Sequence, residues 1–357
     1  MEGDYGYANA RIRAMKSWLL DARIYDALLA ASGIDEVIEL LVGTVYRADI
    51  EVTLVKYGGM QCVAEALRIN VAHTIGKLKS FFAGRSRELA MLLLARWDIF
   101  NLMTILRGQA RGVPPDEILD ALMPIGQLTA VELRELAQQP SMRATVDVML
   151  TWHLPYAKPL ARALGNSDGA DLWLVETRLH QWRYGEALAG LGEEENEALV
   201  KEMLQAEIDV VNVLTLLRLS RLHDRAARLQ RRYGAPAVMP LLIAGGRLPD
   251  QLLQELSAAR DVESIVRGLR GTPYAAVLSN RMERYRQSGD VAVLQRGLEE
   301  LVVRTGVRMV YRNPLSIAIA IGYIWAKTNE VANVRVIAQG KALGLERDAI
   351  QREMIRV

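Results

Sequence analysis

Residues 91–107 read MLLLARWDIFNLMTILR, and this stretch decides the fold class. Drawn as a helix, it carries apolar side chains on nearly every side, and a helix that is apolar all round is buried in a protein core. Gly108 and Gly112 follow it, and Pro114 prevents a simple continuation. The sequence therefore predicts a long core helix that ends at these glycines.

The centre of this helix recurs twice more along the chain. The residues Asp98-Ile99-Phe100-Asn101-Leu102 are matched by DVVNV at 209–213 and by EVANV at 330–334. The first and third copies are followed by a second match, between RGQARGVPPDEI at 107–118 and QGKALGLERDAI at 339–350. These matches predict three homologous units of about 115 residues, far longer than the ~20–50 residues of a solenoid repeat. Each unit is therefore expected to be a small domain.

Helical signals dominate the rest of the chain. Thr129 and Glu132 form the sequence signature of a capping box, and no sustained alternation or Asn-Gly turn indicates a sheet. The predicted fold is all-α, with three homologous helical domains at residues 1–122, 123–236 and 237–357. The first and third domains are expected to superpose best, because they share the glycine-rich match and the stretch Gly-Thr-x-Tyr, which stands at 43–46 and at 271–274.

Composition limits the class of protein. The 357 residues are 51% hydrophobic and 24% charged, which is typical of a globular protein. The formal net charge of +2 is too small to indicate nucleic-acid binding or bulk attraction to a membrane. Cys62 is the only cysteine, so the chain can form no internal disulfide and no thiolate metal cluster. A reducing compartment is expected.

No segment of the sequence predicts insertion into a membrane. Residues 1–20 begin with acidic side chains and lack the apolar core of a signal peptide. The longest uncharged apolar stretch, residues 314–326, is well short of the ~20 residues needed to cross a bilayer. We therefore expect any membrane contact to be made through a partner.

The sequence lacks the motifs of catalysis and of cofactor binding. Gly76-Lys77-Leu78 and Gly340-Lys341-Ala342 have neither the upstream glycine nor the Ser/Thr of a phosphate-binding loop. No nucleophile, base and orienting residue form a recognisable set, and the four histidines are scattered. The chain is predicted to have no catalytic residue, no cofactor and no metal site.

The acid–amide pairs are the first candidate functional residues. In each copy the two side chains are three residues apart and share one helix face. One interpretation is a ligand site; the other is that each pair satisfies backbone groups of a neighbouring loop, since buried polar groups must be paired. Threefold repetition favours the structural role, with the asparagines as hydrogen-bond anchors. The pairs are Asp98/Asn101, Asp209/Asn212 and Glu330/Asn333.

A basic stripe is the second candidate. Its five arginines follow spacings of three and four residues, which places them on one side of a helix. The middle copy lacks the two glycines, so this helix is predicted to run on to about Tyr233. Three interpretations remain open: a solvated helix face, docking onto an acidic protein surface and, more weakly, RNA binding. RNA binding is the weakest of the three because no aromatic side chains alternate with the arginines. The stripe consists of Arg218, Arg221, Arg225, Arg228 and Arg232.

Short motifs spread over the chain resemble a known family. They are YANARIR at 7–13, Thr44-x-Tyr46, residues 96–107, PLARAL at 159–164, GGRL at 245–248, GTPY at 271–274, PLS at 314–316, Asn333 and Gly340-Lys341. In this order and spacing they resemble the C subunit of archaeal-type V/A-ATPases, the homologue of the d subunit of eukaryotic V-ATPases. The Arg-rich segment 218–232 departs from the family pattern, because it is longer and more basic.

The resemblance implies both a fold and a function. Members of this family look like a funnel of three similar helical domains around a pseudo-threefold axis. By resemblance, the chain is a non-catalytic rotor subunit on the cytoplasmic face of the membrane. It would join the central-stalk shaft subunits to the membrane rotor ring and transmit torque, with membrane contact only through the ring and no nucleic-acid partner. The alternative is a generic all-helical interaction scaffold outside rotary ATPases.

Overall fold

A computed structural model describes residues 5–165, 171–221, 229–230 and 238–357. Within these residues the chain forms helices joined by turns and loops, and it contains no β-strand. The predicted all-α fold class is therefore confirmed. The helices are α1 (Tyr5–Lys16), α2 (Ala22–Ala30), α3 (Ile34–Val42), α4 (Arg47–Leu54), α5 (Gly59–Lys79), α6 (Gly84–Ala110), α7 (Pro115–Asp120), α8 (Ala130–Ala137), α9 (Met142–Thr151), α10 (Ala157–Leu164), α11 (Leu172–Ala189), α12 (Glu195–Leu219), α13 (Asp250–Ala258), α14 (Val262–Gly268), α15 (Pro273–Ser279), α16 (Met282–Ser288), α17 (Ala292–Arg308), α18 (Ala318–Ala342) and α19 (Arg347–Glu353), with short 3₁₀ turns at Met239–Leu241 and Met309–Tyr311.

The chain divides into two compact units. The first combines Met1–Gln138 with Gly306–Val357, and the second is Gln139–Thr305. The predicted division into three homologous domains and their arrangement as a funnel stay predictions.

Two long helices form the centre of the first unit. α18 packs against α5, and α1, α3, α6 and α19 also contact α18. On α5, the side chains of Leu67, Val71 and Ile75 share one face and are fully buried, as expected of a helix face that lies in a core. Burying such a side chain contributes about 1.5–3 kcal/mol relative to leaving it in water.

The second unit has the same all-helical construction. α10 packs between α9 and α11, while α12 contacts α11 and α14. α13 contacts α14, which in turn contacts α15. On α12, Met203, Leu204 and Ile208 are fully buried, so this long helix contributes most of its apolar side chains to the core.

α6 and α18 end at the glycines that the sequence singled out. After α6, the amide of Val113 donates to Gly108 O at 2.9 Å and the amide of Gly112 donates to Gln109 O at 3.1 Å. These are the two bonds of a Schellman motif. Gly112 adopts a φ of 66° and Gly344, after α18, a φ of 67°. Only glycine adopts this left-handed conformation without cost, so the predicted helix end is confirmed.

The helix of the middle copy ends earlier than predicted. α12 stops at Leu219, with Ser220 as its C-cap, and does not run on continuously to Tyr233. The Ser220 hydroxyl donates to the carbonyl oxygen of Leu217 at 2.9 Å, a local bond that competes with helix propagation. Residues 222–228 and 231–237 lie outside the described part of the chain.

The helix that contains residues 91–107 is buried over most of its surface. By length and composition alone, α6 could cross a membrane, but 67% of its most apolar 18-residue stretch is buried inside the protein. Burial on every side was predicted, and that expectation is wrong at Phe100, which is 43% exposed. Apolar composition shows that a side chain prefers burial, but it does not show which neighbours cover it.

Candidate functional site

The first asparagine anchors a loop to its helix. Asn101 on α6 is completely buried. Its Nδ2 donates to Met123 O and its Oδ1 accepts from Met123 N, both at 2.7 Å. The side-chain amide therefore pairs with both backbone groups of one residue, as a neighbouring strand of backbone would.

The other two asparagines repeat this geometry. Asn212 on α12 makes the same two bonds to Ile243, each at 2.8 Å. Asn333 on α18 makes them to Ile355, at 2.8 Å and 2.9 Å. Both asparagines are buried. Asn is a poor residue for the middle of a helix, by roughly 0.5–0.7 kcal/mol against Ala, and two hydrogen bonds to buried backbone offset that cost.

The two aspartates bind the backbone amides of a second loop. Oδ2 of Asp98 accepts from Gln127 N at 2.8 Å, and Oδ1 accepts from Leu128 N at 2.9 Å. In the second unit, Asp209 accepts from Arg247 N at 3.0 Å and from Leu248 N at 3.1 Å. Both aspartates are completely buried. Each aspartate therefore holds the start of the segment that leads into α8 or α13.

A glycine packs directly against the carboxylate of each aspartate. A Cβ atom on Gly126 would overlap the carboxylate of Asp98, and a Cβ atom on Gly246 would overlap that of Asp209. Neither glycine has a positive φ, so space rather than backbone conformation explains the residue. The short aspartate side chain reaches the loop amides only because the backbone approaches this closely.

The third acid is a glutamate in a charged network. Oε2 of Glu330 accepts from Leu20 N at 2.5 Å. Its Oε1 accepts from the Tyr46 hydroxyl and from Lys327 Nζ, both at 2.7 Å. Lys327 Nζ also donates to the Tyr46 hydroxyl oxygen at 3.0 Å and lies 4.5 Å from the Tyr46 ring centroid. Tyr46, Lys327 and Glu330 are all buried, so this pair of charges lies inside the core of the first unit.

Burial controls the electrostatics of these sites. It raises the pKa of Asp209 above its usual 3.8, although hydrogen bonds from Tyr274 and from two backbone amides act in the opposite direction. The Tyr274 hydroxyl donates to Asp209 Oδ2 at 2.7 Å. Burial, followed by the nearby negative charge, also raises the pKa of Tyr274 and of Tyr46. Both phenols therefore remain protonated and act as donors to the acids.

Sequence reasoning missed several partners of the acids. Tyr46 and Tyr274 stood out only as parts of the repeated Gly-Thr-x-Tyr stretch, and Lys327, which directly follows the uncharged apolar stretch 314–326, was assigned no role. Gly246 was part of a motif without a stated role. The repetition of Gly-Thr-x-Tyr was the available signal, because a hydroxyl at equivalent places in two units predicts equivalent acceptors.

The structure describes only part of the basic stripe. Arg218 is exposed in the last turn of α12, and its guanidinium donates to Gln295 Oε1 at 2.7 Å. Arg221 follows in a turn and is also exposed. The other three members, Arg225, Arg228 and Arg232, lie outside the described residues.

The acid–amide sites pair with the chain's own backbone. Within the described residues, no group of three or more His, Cys, Asp or Glu side chains could hold a metal ion. A separate groove of about 380 Å³ in the first unit is lined by both cations and anions, among them Lys56, Arg68, Asp116 and Asp120. In the described residues, the acid–amide side chains bond to buried N–H and C=O groups of the loops, which would otherwise need water.

Comparison with known proteins identifies the family. The sequence profile described as ATP synthase (C/AC39) subunit matches residues 8–353. The C subunit of the A-type ATP synthase of Methanosarcina mazei is 29% identical over 354 residues, which cover 99% of this chain and 93% of that protein. The protein of the same name from Archaeoglobus fulgidus is 29% identical over 360 residues, covering 98% of this chain and 96% of that protein. Since the match extends over nearly the whole length, the chain belongs to the family of ATP synthase (C/AC39) subunits.

Proposed function

We propose that this chain is a non-catalytic rotor subunit of a V/A-type ATPase or ATP synthase. In this role it is a socket on the cytoplasmic face of the membrane, joining the shaft subunits of the central stalk to the membrane rotor ring. The observation that carries the proposal is the family match over residues 8–353. Both relatives are named as the C subunit of an A-type ATP synthase, and we extend membership of that complex to this chain.

The acid–amide sites support a role in transmitting torque. A subunit that transmits torque must keep its loops fixed to its helices, because a loop that yields absorbs rotation. Asn101, Asn212 and Asn333 each hold one loop residue by two hydrogen bonds, and the acids hold further backbone amides. Close-packed interiors have low compressibility, and satisfied buried networks add rigidity.

A bridging pull-down tests the socket role. Purified shaft subunits are immobilised, and the solubilised membrane ring is added with or without the full-length chain. We expect the ring to be retained only when the chain is present. A chain that binds neither the shaft nor the ring would leave the generic helical scaffold as the remaining interpretation.

Calorimetry tests the non-catalytic part of the proposal. We expect titration with ATP and magnesium to give no stoichiometric heat, and we expect the chain alone to show no ATP hydrolysis. A stoichiometric signal in the micromolar range would overturn the proposal that this subunit has no nucleotide site.

The basic stripe offers a docking hypothesis within the same assembly. Reversal of Arg221, Arg225 and Arg228 to glutamate is expected to weaken retention of the shaft or the ring if the stripe meets an acidic partner surface. Unchanged retention in the bridging pull-down would assign the stripe to a solvated helix face.

A further inference from the structure

One face of the first unit combines exposed aromatic side chains with positive charge. Residues 5–20, which include α1, contain Arg11, Arg13 and Lys16 and no acidic residue. In the same segment Tyr7 is 57% exposed and Trp18 is 55% exposed. Exposed apolar side chains that are grouped, rather than scattered singly, mark sites of interaction with proteins or membranes.

Two further segments meet α1 at this face. Residues 76–87 and 306–316 contain basic residues and no acidic residue. The Arg11 guanidinium lies 5.4 Å from the ring centroid of Phe81, and Lys77 Nζ lies 5.5 Å from that of Trp18. These contacts join α1 and the turn after it to the last turn of α5 and the residues that follow it.

Residues 306–316, the third segment, also contact α1. Lys16 Nζ lies 6.0 Å from the ring centroid of Tyr311, and Asn9 Nδ2 donates to Pro314 O and Ser316 O at 2.9 Å each. Tyr311 is 82% exposed and Leu315 is 66% exposed. We name the combined surface the aromatic–basic face; its members are Tyr7, Arg11, Lys16, Trp18, Lys77, Tyr311 and Leu315.

Exposed apolar side chains elsewhere in this unit have a different setting. Val52 and Val55 are 67% and 89% exposed; Asp49 and Glu51 precede them, and the cation–π pair Lys56 and Tyr57 follows them. The comparison region therefore mixes acidic and basic residues, whereas the three segments of the aromatic–basic face contain no acidic residue. This contrast also supplies matched control positions.

We propose that the aromatic–basic face binds the anionic headgroups of a lipid bilayer surface directly. Tyr and Trp place an apolar ring and a polar tip at the membrane–water boundary, and basic residues near the surface are attracted to anionic lipid. The exposed aliphatic side chain of Leu315 fits the acyl boundary of a bilayer, whereas it has no hydrogen-bonding or stacking role against nucleic acid. Direct lipid contact goes beyond the proposed function, which joins the chain to the membrane rotor ring, and it would replace the expectation that membrane contact is made only through the ring.

Vesicle sedimentation with the full-length chain tests this inference. The probes are phosphatidylcholine vesicles with and without phosphatidylglycerol. We expect binding only to the anionic vesicles, weakening as salt is raised because exposed charges are screened. Replacing Lys16 and Lys77 together by Gln is expected to weaken partitioning by roughly 25-fold, since each basic residue contributes about fivefold near an anionic surface.

Variants separate the face from general effects of charge and exposure. Trp18→Ser with Tyr311→Ser is expected to lower binding further, while the control pair Arg47→Gln and Val55→Ser leaves it unchanged. Circular dichroism confirms that each variant is folded. Equal binding to neutral and anionic vesicles, absence of binding to both, or equal loss in the control pair would overturn the inference. The bridging pull-down contains no free vesicles, so its outcome is independent of this one.

Discussion

The chain holds its loops with two kinds of acid site, and their difference is instructive. At the aspartate sites a short carboxylate meets loop amides because Gly126 and Gly246 let the backbone approach. At the glutamate site the position two residues before the bound amide of Leu20 is Trp18 rather than glycine. The additional methylene of glutamate spans the larger gap. The same task is therefore achieved either by a close backbone or by a longer side chain.

The longer side chain has a different electrostatic environment. Glu330 shares its buried surroundings with the ammonium of Lys327 and the phenol of Tyr46, whereas Asp209 is bound by backbone amides and the phenol of Tyr274. A buried ion pair is strongly sensitive to loss of one partner, because the remaining charge stays in the core without compensation. Loss of the acid is expected to cost less stability at the Asp209 site, because the donors left behind there are neutral.

The largest effect is expected from breaking the charged network. Glu330→Ala leaves Lys327 buried without its carboxylate, which is expected to lower the free energy of unfolding by about 3–5 kcal/mol. The measurement is urea unfolding followed by tryptophan fluorescence and circular dichroism. The control is the double variant Lys327→Met with Glu330→Gln, which removes both charges and keeps an acceptor for Leu20 N. It is expected to recover most of the loss, and equal losses in the single and double variants would contradict a charge-based explanation.

The next effect concerns the glycines beneath the aspartates. Gly126→Ala puts a methyl group where the carboxylate of Asp98 lies, so the loop must move away and its amide bonds weaken. We expect a loss of about 2–4 kcal/mol from overpacking and unsatisfied backbone together. Trp18→Ala, at the corresponding place of the glutamate site, serves as the matched comparison. It is expected to cost less than about 1 kcal/mol because the side chain is half exposed; a similar loss in both would show that the glycines have no special role.

The asparagines give a smaller and graded effect. Asn101→Ala leaves both backbone groups of Met123 unpaired and is expected to cost about 1–3 kcal/mol. Asn333→Ala is expected to cost less, because Ile355 O also accepts from Asn329 Nδ2 at 2.9 Å. Thermal unfolding of the two variants measures the difference, and the bridging pull-down shows whether assembly is retained. Lost assembly with unchanged melting would mean that these amides contact partners rather than loops.

The smallest effect is the pH dependence of the aspartate site. Burial raises the pKa of Asp209 in the folded chain above 3.8, its usual value in an unfolded chain. Between the usual pKa and the raised pKa, the folded chain therefore binds more protons than the unfolded chain. Stability from this group therefore falls as pH rises through that window and is constant above it. Asp209→Asn does not titrate, so the free energy of unfolding of the natural chain relative to this variant is expected to decrease with pH there. An increase would show that the hydrogen bonds outweigh burial.

The sequence by itself determined the helical class and the places where structure repeats. Apolar residues on nearly all sides of 91–107 indicated a core helix, and Gly112 marked its end because a left-handed residue follows the helix there. The positions of Asn101, Asn212 and Asn333 were visible because all three stand in one register within similar surroundings. These features depend on residues close together in the chain, where periodicity and local conformation carry the information.

Only the tertiary structure decided which backbone groups the buried polar side chains bind. Met123, Ile243 and Ile355 take part through backbone N–H and C=O groups, which nearly every residue possesses, so no side-chain pattern marks them. Glu330 meets Leu20 across almost the whole length of the chain. Hydrogen-bond partners of buried groups are chosen by which backbone the packing brings within about 3 Å, and a linear sequence does not record that proximity.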